Sequence, residues 1–193
     1  MELIFVSDFF VNEVKGGAEI VDDHLTNLLS KKQISVTKIK SQNLTESLVK
    51  ENSHKTFFVS NFTGINQRAL NVLSACRYFI FEHDHKYTID RDVSKYKDYV
   101  VPSDRLINLS FYKNAQAVFC QSKIHCEVVK KNVKTNNIVN LECSIWSDDE
   151  LNTLEKYSKT EKSKQYAIVN SNNPIKSTHK SISFCNKNNL DYE

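Results

Sequence analysis

Three short clusters carry the residues whose types and spacing could do chemistry. Gly16-Gly17 stand just before a segment of helical period and hold two of the three glycines in the chain. Bare backbone N–H groups and the positive end of a helix dipole at such a place can meet an anion such as phosphate. Asp8 and Asn12 share the loop that leads to them. His83-Asp84-His85 close an apolar run, and in an extended strand the two imidazoles would lie on one face. Such a pair could join a metal site, but no third ligand stands at a fixed spacing, so the residues read first as hydrogen-bond partners. Gln121-Ser122 follow a third apolar run, where Ser122 fits the N-cap of the next helix.

Each cluster also has a plain structural reading. A glycine pair can serve a helix start that needs unusual dihedral angles. A serine at an N-cap satisfies orphan amides whatever the function. His24, His54, His125 and His179 show no partners in sequence and read as surface residues. Neither GxGxxG nor GxxxxGK[ST] occurs, which leaves no dinucleotide fingerprint and no nucleoside-triphosphate loop.

The elements that would position these residues alternate along the chain. "LIFVS", "SVTKIK", "TFFVSN", "RYFIFEH", "AVFCQS" and "NIVNLE" read as strands. Between them lie helical segments at Ala18–Lys32, Leu44–Glu51, Ile65–Cys76, Ser103–Asn114 and Lys123–Asn132. This alternation predicts an α/β fold, a Rossmann-like doubly wound parallel sheet with helices on both faces. Two βαβαβ halves wound outward from the first strand would give the order 3-2-1-4-5-6. Ligands then collect outside the carboxyl ends of the strands, where all three clusters fall.

With 193 residues and 40% apolar content, the chain can bury one full core and begin a second. The reading divides it into a domain over 1–146, a helix and charged linker over 147–164, and a strand–helix unit over 165–193, with Asn173-Pro174 at the helix start. The net charge of +3 is spread over many segments, which argues against a nucleic-acid surface. No apolar run approaches the roughly 20 residues of a membrane span, and no basic flank precedes the first strand. Five cysteines without a CxxC pair read as buried thiols of a reducing compartment, and the expected location is cytoplasmic.

Taken in order, "KGGAE" in the first loop, a strand ending in "EHDH", and "AQAVFCQSKIHCEVV" make the chain resemble the N-terminal domain of a GT-B-fold glycosyltransferase close to the retaining family-four type. The resemblance covers roughly residues 1–145. It implies two Rossmann-like domains across a cleft, the first receiving the acceptor and the second a nucleotide-sugar donor. It also implies that Gly16 and Gly17 face the donor phosphates and that His83, which approaches the transferred sugar, and Asp84, which follows it, are the catalytic residues, with His85 as the alternative match to His83. Asn12, His85 and Ser122 become candidate substrate contacts. Fixed dipoles then hold the departing diphosphate, and neither a metal nor another cofactor is expected. Most of the family's donor-binding domain lies beyond this sequence. The chain alone is therefore expected to transfer no sugar, and its last strand–helix unit to pack on the first domain or on a second copy. The alternative function is a non-catalytic module for a nucleotide or a phosphorylated sugar.

Overall fold

A computed structural model describes residues 2–172 and 174–193, with only the backbone at Ile175. Six strands form one sheet: β1 (Glu2–Ser7), β2 (Ser35–Lys40), β3 (Thr56–Val59), β4 (Arg77–Phe81), β5 (Val118–Cys120) and β6 (Ile138–Asn140). Every neighbouring pair is parallel. Between them run α1 (Gly17–Lys31), α2 (Glu46–Glu51), α3 (Gln67–Leu73), α4 (Leu109–Asn114) and α5 (Lys123–Val133). The protein is an α/β fold of the Rossmann-like, doubly wound kind.

The strand order is β2-β1-β3-β4-β5-β6, not the expected 3-2-1-4-5-6. The side chains account for the difference. β2 alternates apolar residues with Lys38 and Lys40, which pair with Asp23 and Glu13 at 2.9 and 2.6 Å. An inner position would bury both ammonium groups, so β2 takes the edge. β3, whose "TFFV" is almost wholly buried, takes the place beside β1.

This order sets which helices lie on which face. The β1 to β2 crossover runs one way and all later crossovers run the other, so right-handed connections place α1 on one face and α2 to α5 on the opposite one. Ile4, Val6, Phe57, Val59, Tyr78 and Ile80 bury the latter face with Leu70 and Leu73 of α3, Phe111 and Tyr112 of α4 and Val129 of α5. On the α1 face Phe58 stacks on Phe5 and Phe119 at 5.4 and 5.8 Å.

Two elements differ from the sequence reading. The helix expected from Ser103 begins only at Leu109, because Asn108 adopts φ 56° and its Nδ2 donates to the Lys86 carbonyl at 2.9 Å. The thiols are not uniformly buried, since Cys143 is exposed and Cys76 is half-buried.

The chain divides into two compact units, and the second spans Ser147–Glu193. Its helix α6 (Asp148–Ser158) opens with a capping box, in which Ser147 accepts from the Glu150 amide and Glu150 from the Ser147 amide. Where a strand was expected, Tyr166 makes a single parallel bridge to Tyr192, with α7 (Thr178–Lys187) between them. Of the expected Asn173-Pro174 helix start, Asn173 lies outside the described residues, and Pro174 opens a 3-10 turn before α7. Among the described residues no helix is long and apolar enough to cross a membrane.

Candidate functional site at the carboxyl edge of the sheet

The α1 face of the sheet changes character at its carboxyl edge. Side chains alternate along a strand, so Phe5 and Ser7 share a face, as do Phe58 and Ser60, Phe81 and His83, and Phe119 and Gln121. Four adjacent strands thus end in an aromatic ring followed, two residues on, by a polar group. Asp22 of α1 gathers them. Its carboxylate accepts from Ser7 Oγ at 3.2 Å and from Ser60 Oγ at 2.8 Å, and its Oδ1 lies 3.3 Å from His83 Nε2. His83 Nδ1 stands 3.5 Å from Gln121 Nε2. Asp22, Ser7 and Ser60 are buried, and the His83 side chain is 8% exposed.

The arrangement constrains the imidazole. With Nε2–H donating to Asp22 and Nδ1 facing the Gln121 amide, contacts on both nitrogens fix the orientation of the ring. The contact to Gln121 is long enough for a ligand hydroxyl to replace it.

The same contact ties His83 to the glycine pair. Asp22 lies five residues beyond Gly17, about 7.5 Å along α1 at the rise of a helix. Gly16 is the N-cap of α1 in an extended conformation, and no side chain caps the helix. Neither glycine has positive φ, so unusual dihedral angles do not explain the pair. Space around the two differs. A Cβ on Gly17 would meet nothing within 4 Å, whereas one on Gly16 would come within 2.2 Å of Glu19 Oε2. The Glu19 carboxylate therefore folds back beside the helix N-terminus, where an incoming anion would have to move it aside.

Asp8 bridges the point at which the winding reverses. Its carboxylate accepts from Ser41 Oγ, from the Gly64 amide at 3.2 Å and from the Thr63 amide at 3.3 Å, fastening the β1 loop to the β3 loop. Gly64 cannot carry a side chain there without displacement, since a Cβ would stand 2.4 Å from Ser41 Oγ and 3.0 Å from the Gln42 amide nitrogen. Asn12 is exposed at the tip of the β1 loop.

The His-Asp-His stretch does not keep its imidazoles on one face. β4 ends at Phe81, and His85 adopts φ 57°, which turns it away from His83. Its Nδ1 pairs with Tyr87 OH at 2.8 Å, and its ring meets His125 edge-on at 5.0 Å. His125 is thus half-buried rather than a surface residue, and its Nε2 is buried with no hydrogen-bond partner among the described residues. Burial holds both imidazoles below their usual range, against the pull of Glu82. His24 likewise has a partner, the Ile145 carbonyl at 3.0 Å. Ser122 caps α5 by accepting from the His125 amide at 3.2 Å.

Glu82 organises the β4 loop from beneath. It is fully buried, and it accepts from the amides of Asp84 at 3.0 Å and His85 at 2.6 Å and from Tyr112 OH. Burial and the nearby Glu82 push the Tyr112 phenol well above its ordinary value, so that hydroxyl remains a donor. The Asp84 carboxylate is committed to Lys86 and Arg91. Among the described residues no group of three or more His, Cys, Asp or Glu side chains is placed to hold a metal ion.

No family model matches the chain, and neither does a curated protein or a solved structure. The reading of function therefore rests on the site itself.

Proposed function

We propose that residues 1–146 form the acceptor-side domain of a GT-B-type sugar transferase, in which the N-terminus of α1 faces the donor diphosphate and His83 faces the transferred sugar. The supporting observation is the contact between His83 and Asp22. It draws a residue of the β4 loop onto the helix that begins at Gly16-Gly17. A departing diphosphate would find the uncapped amides of the first turn and a helix dipole, and the transferred sugar would find an imidazole held in a fixed orientation. Asp84 holds the loop that carries His83 through Lys86 and Arg91, so its part is positioning. In this reading Tyr166, α7 and Tyr192 are the parallel strand–helix–strand start of the donor-side domain.

One observation favours a second reading, a binding module without turnover. Both ring nitrogens of His83 face protein groups, which leaves neither free for proton transfer in this conformation.

Gly17→Asp tests the proposal. The open space at Gly17 admits the new side chain, and an acidic residue in the first turn stabilises a helix by about 0.3–1 kcal/mol. The variant should fold at least as stably as the parent, yet bind UDP-glucose or GDP-mannose at least tenfold more weakly by calorimetry. Equal affinity would remove the diphosphate from this helix end.

A further inference from the structure

We propose that the cavity between the β3, β4 and α4 loops is a second ligand site, which grips the anionic group of a small organic phosphate or carboxylate with Lys86 and Arg91. The cavity encloses about 360 Å³ and lies on the α3 and α4 side of the sheet, away from Asp22. That volume falls in the range of small-molecule sites.

Charge is the first argument. Lys86 is 2% exposed, and an ammonium so far from water requires an anion beside it. Its partner Asp84 is shared, with Oδ1 on Lys86 Nζ and Oδ2 at 3.2 Å from Arg91 Nη1. Two cations thus line the cavity against one carboxylate, whose side chain is 43% exposed. Glu82 beneath the loop is already taken by two amides and Tyr112. Asp90 is occupied by Thr88, Tyr96 and Arg105. A ligand oxyanion would replace Asp84 between the two cations and leave both paired.

Shape is the second argument. Lys86 Nζ lies 5.9 Å over the Phe62 ring, and Ile89 and Ile107, both exposed, line the same cavity. An apolar body attached to the anion would cover these side chains. Two lining residues, Arg91 at φ 53° and Asn108 at φ 56°, hold left-handed backbone without being glycine. Such strain persists only where the surroundings enforce it, here through Thr88 Oγ1 on the Arg91 amide and Asn108 Nδ2 on the Lys86 carbonyl.

The binding claim does not depend on sugar transfer at His83, although under that reading the ligand would be the acceptor. Amide-resolved NMR titration of the 193-residue chain with phenyl phosphate, phenylacetate, inorganic phosphate and benzyl alcohol tests it. Saturable shifts centred on residues 86–91 and 107–108 are expected with phenyl phosphate or phenylacetate, and the tighter of the two identifies the anion. Inorganic phosphate should bind more weakly and benzyl alcohol not at all. Arg91→Ala, at a half-exposed position, should fold normally and weaken binding at least tenfold. Asp84→Asn should strengthen it severalfold by removing the internal competitor. No saturable shift at these amides, equal affinity in Arg91→Ala, or equal binding of benzyl alcohol would overturn the proposal.

Discussion

Asp22→Ala is expected to lower the unfolding free energy by about 3 kcal/mol, a large share of the stability of a domain this size. The loss arises because Asp22 is the common acceptor for Ser7, Ser60 and His83, and all three would remain buried without it. Asp22→Asn keeps the shape and an acceptor oxygen for Ser7, while its amide in the place of Oδ1 can donate to Ser60 Oγ and to His83 Nε2 in the other tautomer, so a loss of about 1 kcal/mol is expected. Urea unfolding of the three proteins measures both values. A change below about 0.5 kcal/mol in Asp22→Ala would show that the strand ends find other partners, and that the cluster is not what holds His83.

Glu82→Ala should be at least as damaging, at about 3–5 kcal/mol. It would leave the amides of Asp84 and His85 and the Tyr112 hydroxyl unsatisfied in a buried place and open a void above α4. Glu82→Gln retains an oxygen for the two amides and an NH₂ group that can donate to Tyr112, so it should cost about 1 kcal/mol. The two variants differ in a second way that stability alone would not show. In Glu82→Ala the loop from His83 to Lys86 loses its anchor and its amides should exchange faster with solvent, whereas in Glu82→Gln they should stay protected. Equal protection in both would mean that the loop is fixed from elsewhere.

Much of this fold could be read from the chain. Six short strands alternate with helical segments, and four of the five helices of the first unit appear within a few residues of their expected places, α4 being the exception. Strand order was also legible, although in a detail that the winding rule passed over: Lys38 and Lys40 mark β2 as an edge, and "TFFV" marks β3 as central. The site was legible only in part. Gly16, Gly17, His83, Asp84, His85 and Ser122 stand in the loops after strands, where pattern alone points. Asp22 was missed, since an acidic residue inside an amphipathic helix looks like a solvated one until the sheet is placed against it. A signal for it existed in the repeated spacing Phe5 to Ser7, Phe58 to Ser60, Phe81 to His83 and Phe119 to Gln121, which announces a polar layer needing a common partner. The pairing of His85 with His125 had no such signal, because it depends on the left-handed turn at His85.

The central claim is that the N-terminus of α1 and His83 share one ligand. A crystal structure of the chain with a bound nucleoside diphosphate sugar tests it most directly. The account predicts diphosphate oxygens within hydrogen-bond distance of the Gly16 or Gly17 amide, Glu19 turned away, and a sugar hydroxyl at His83 Nδ1 in place of Gln121. A donor bound with its diphosphate away from Gly16-Gly17, or with His83 still closed on Gln121 and untouched by the sugar, would contradict it.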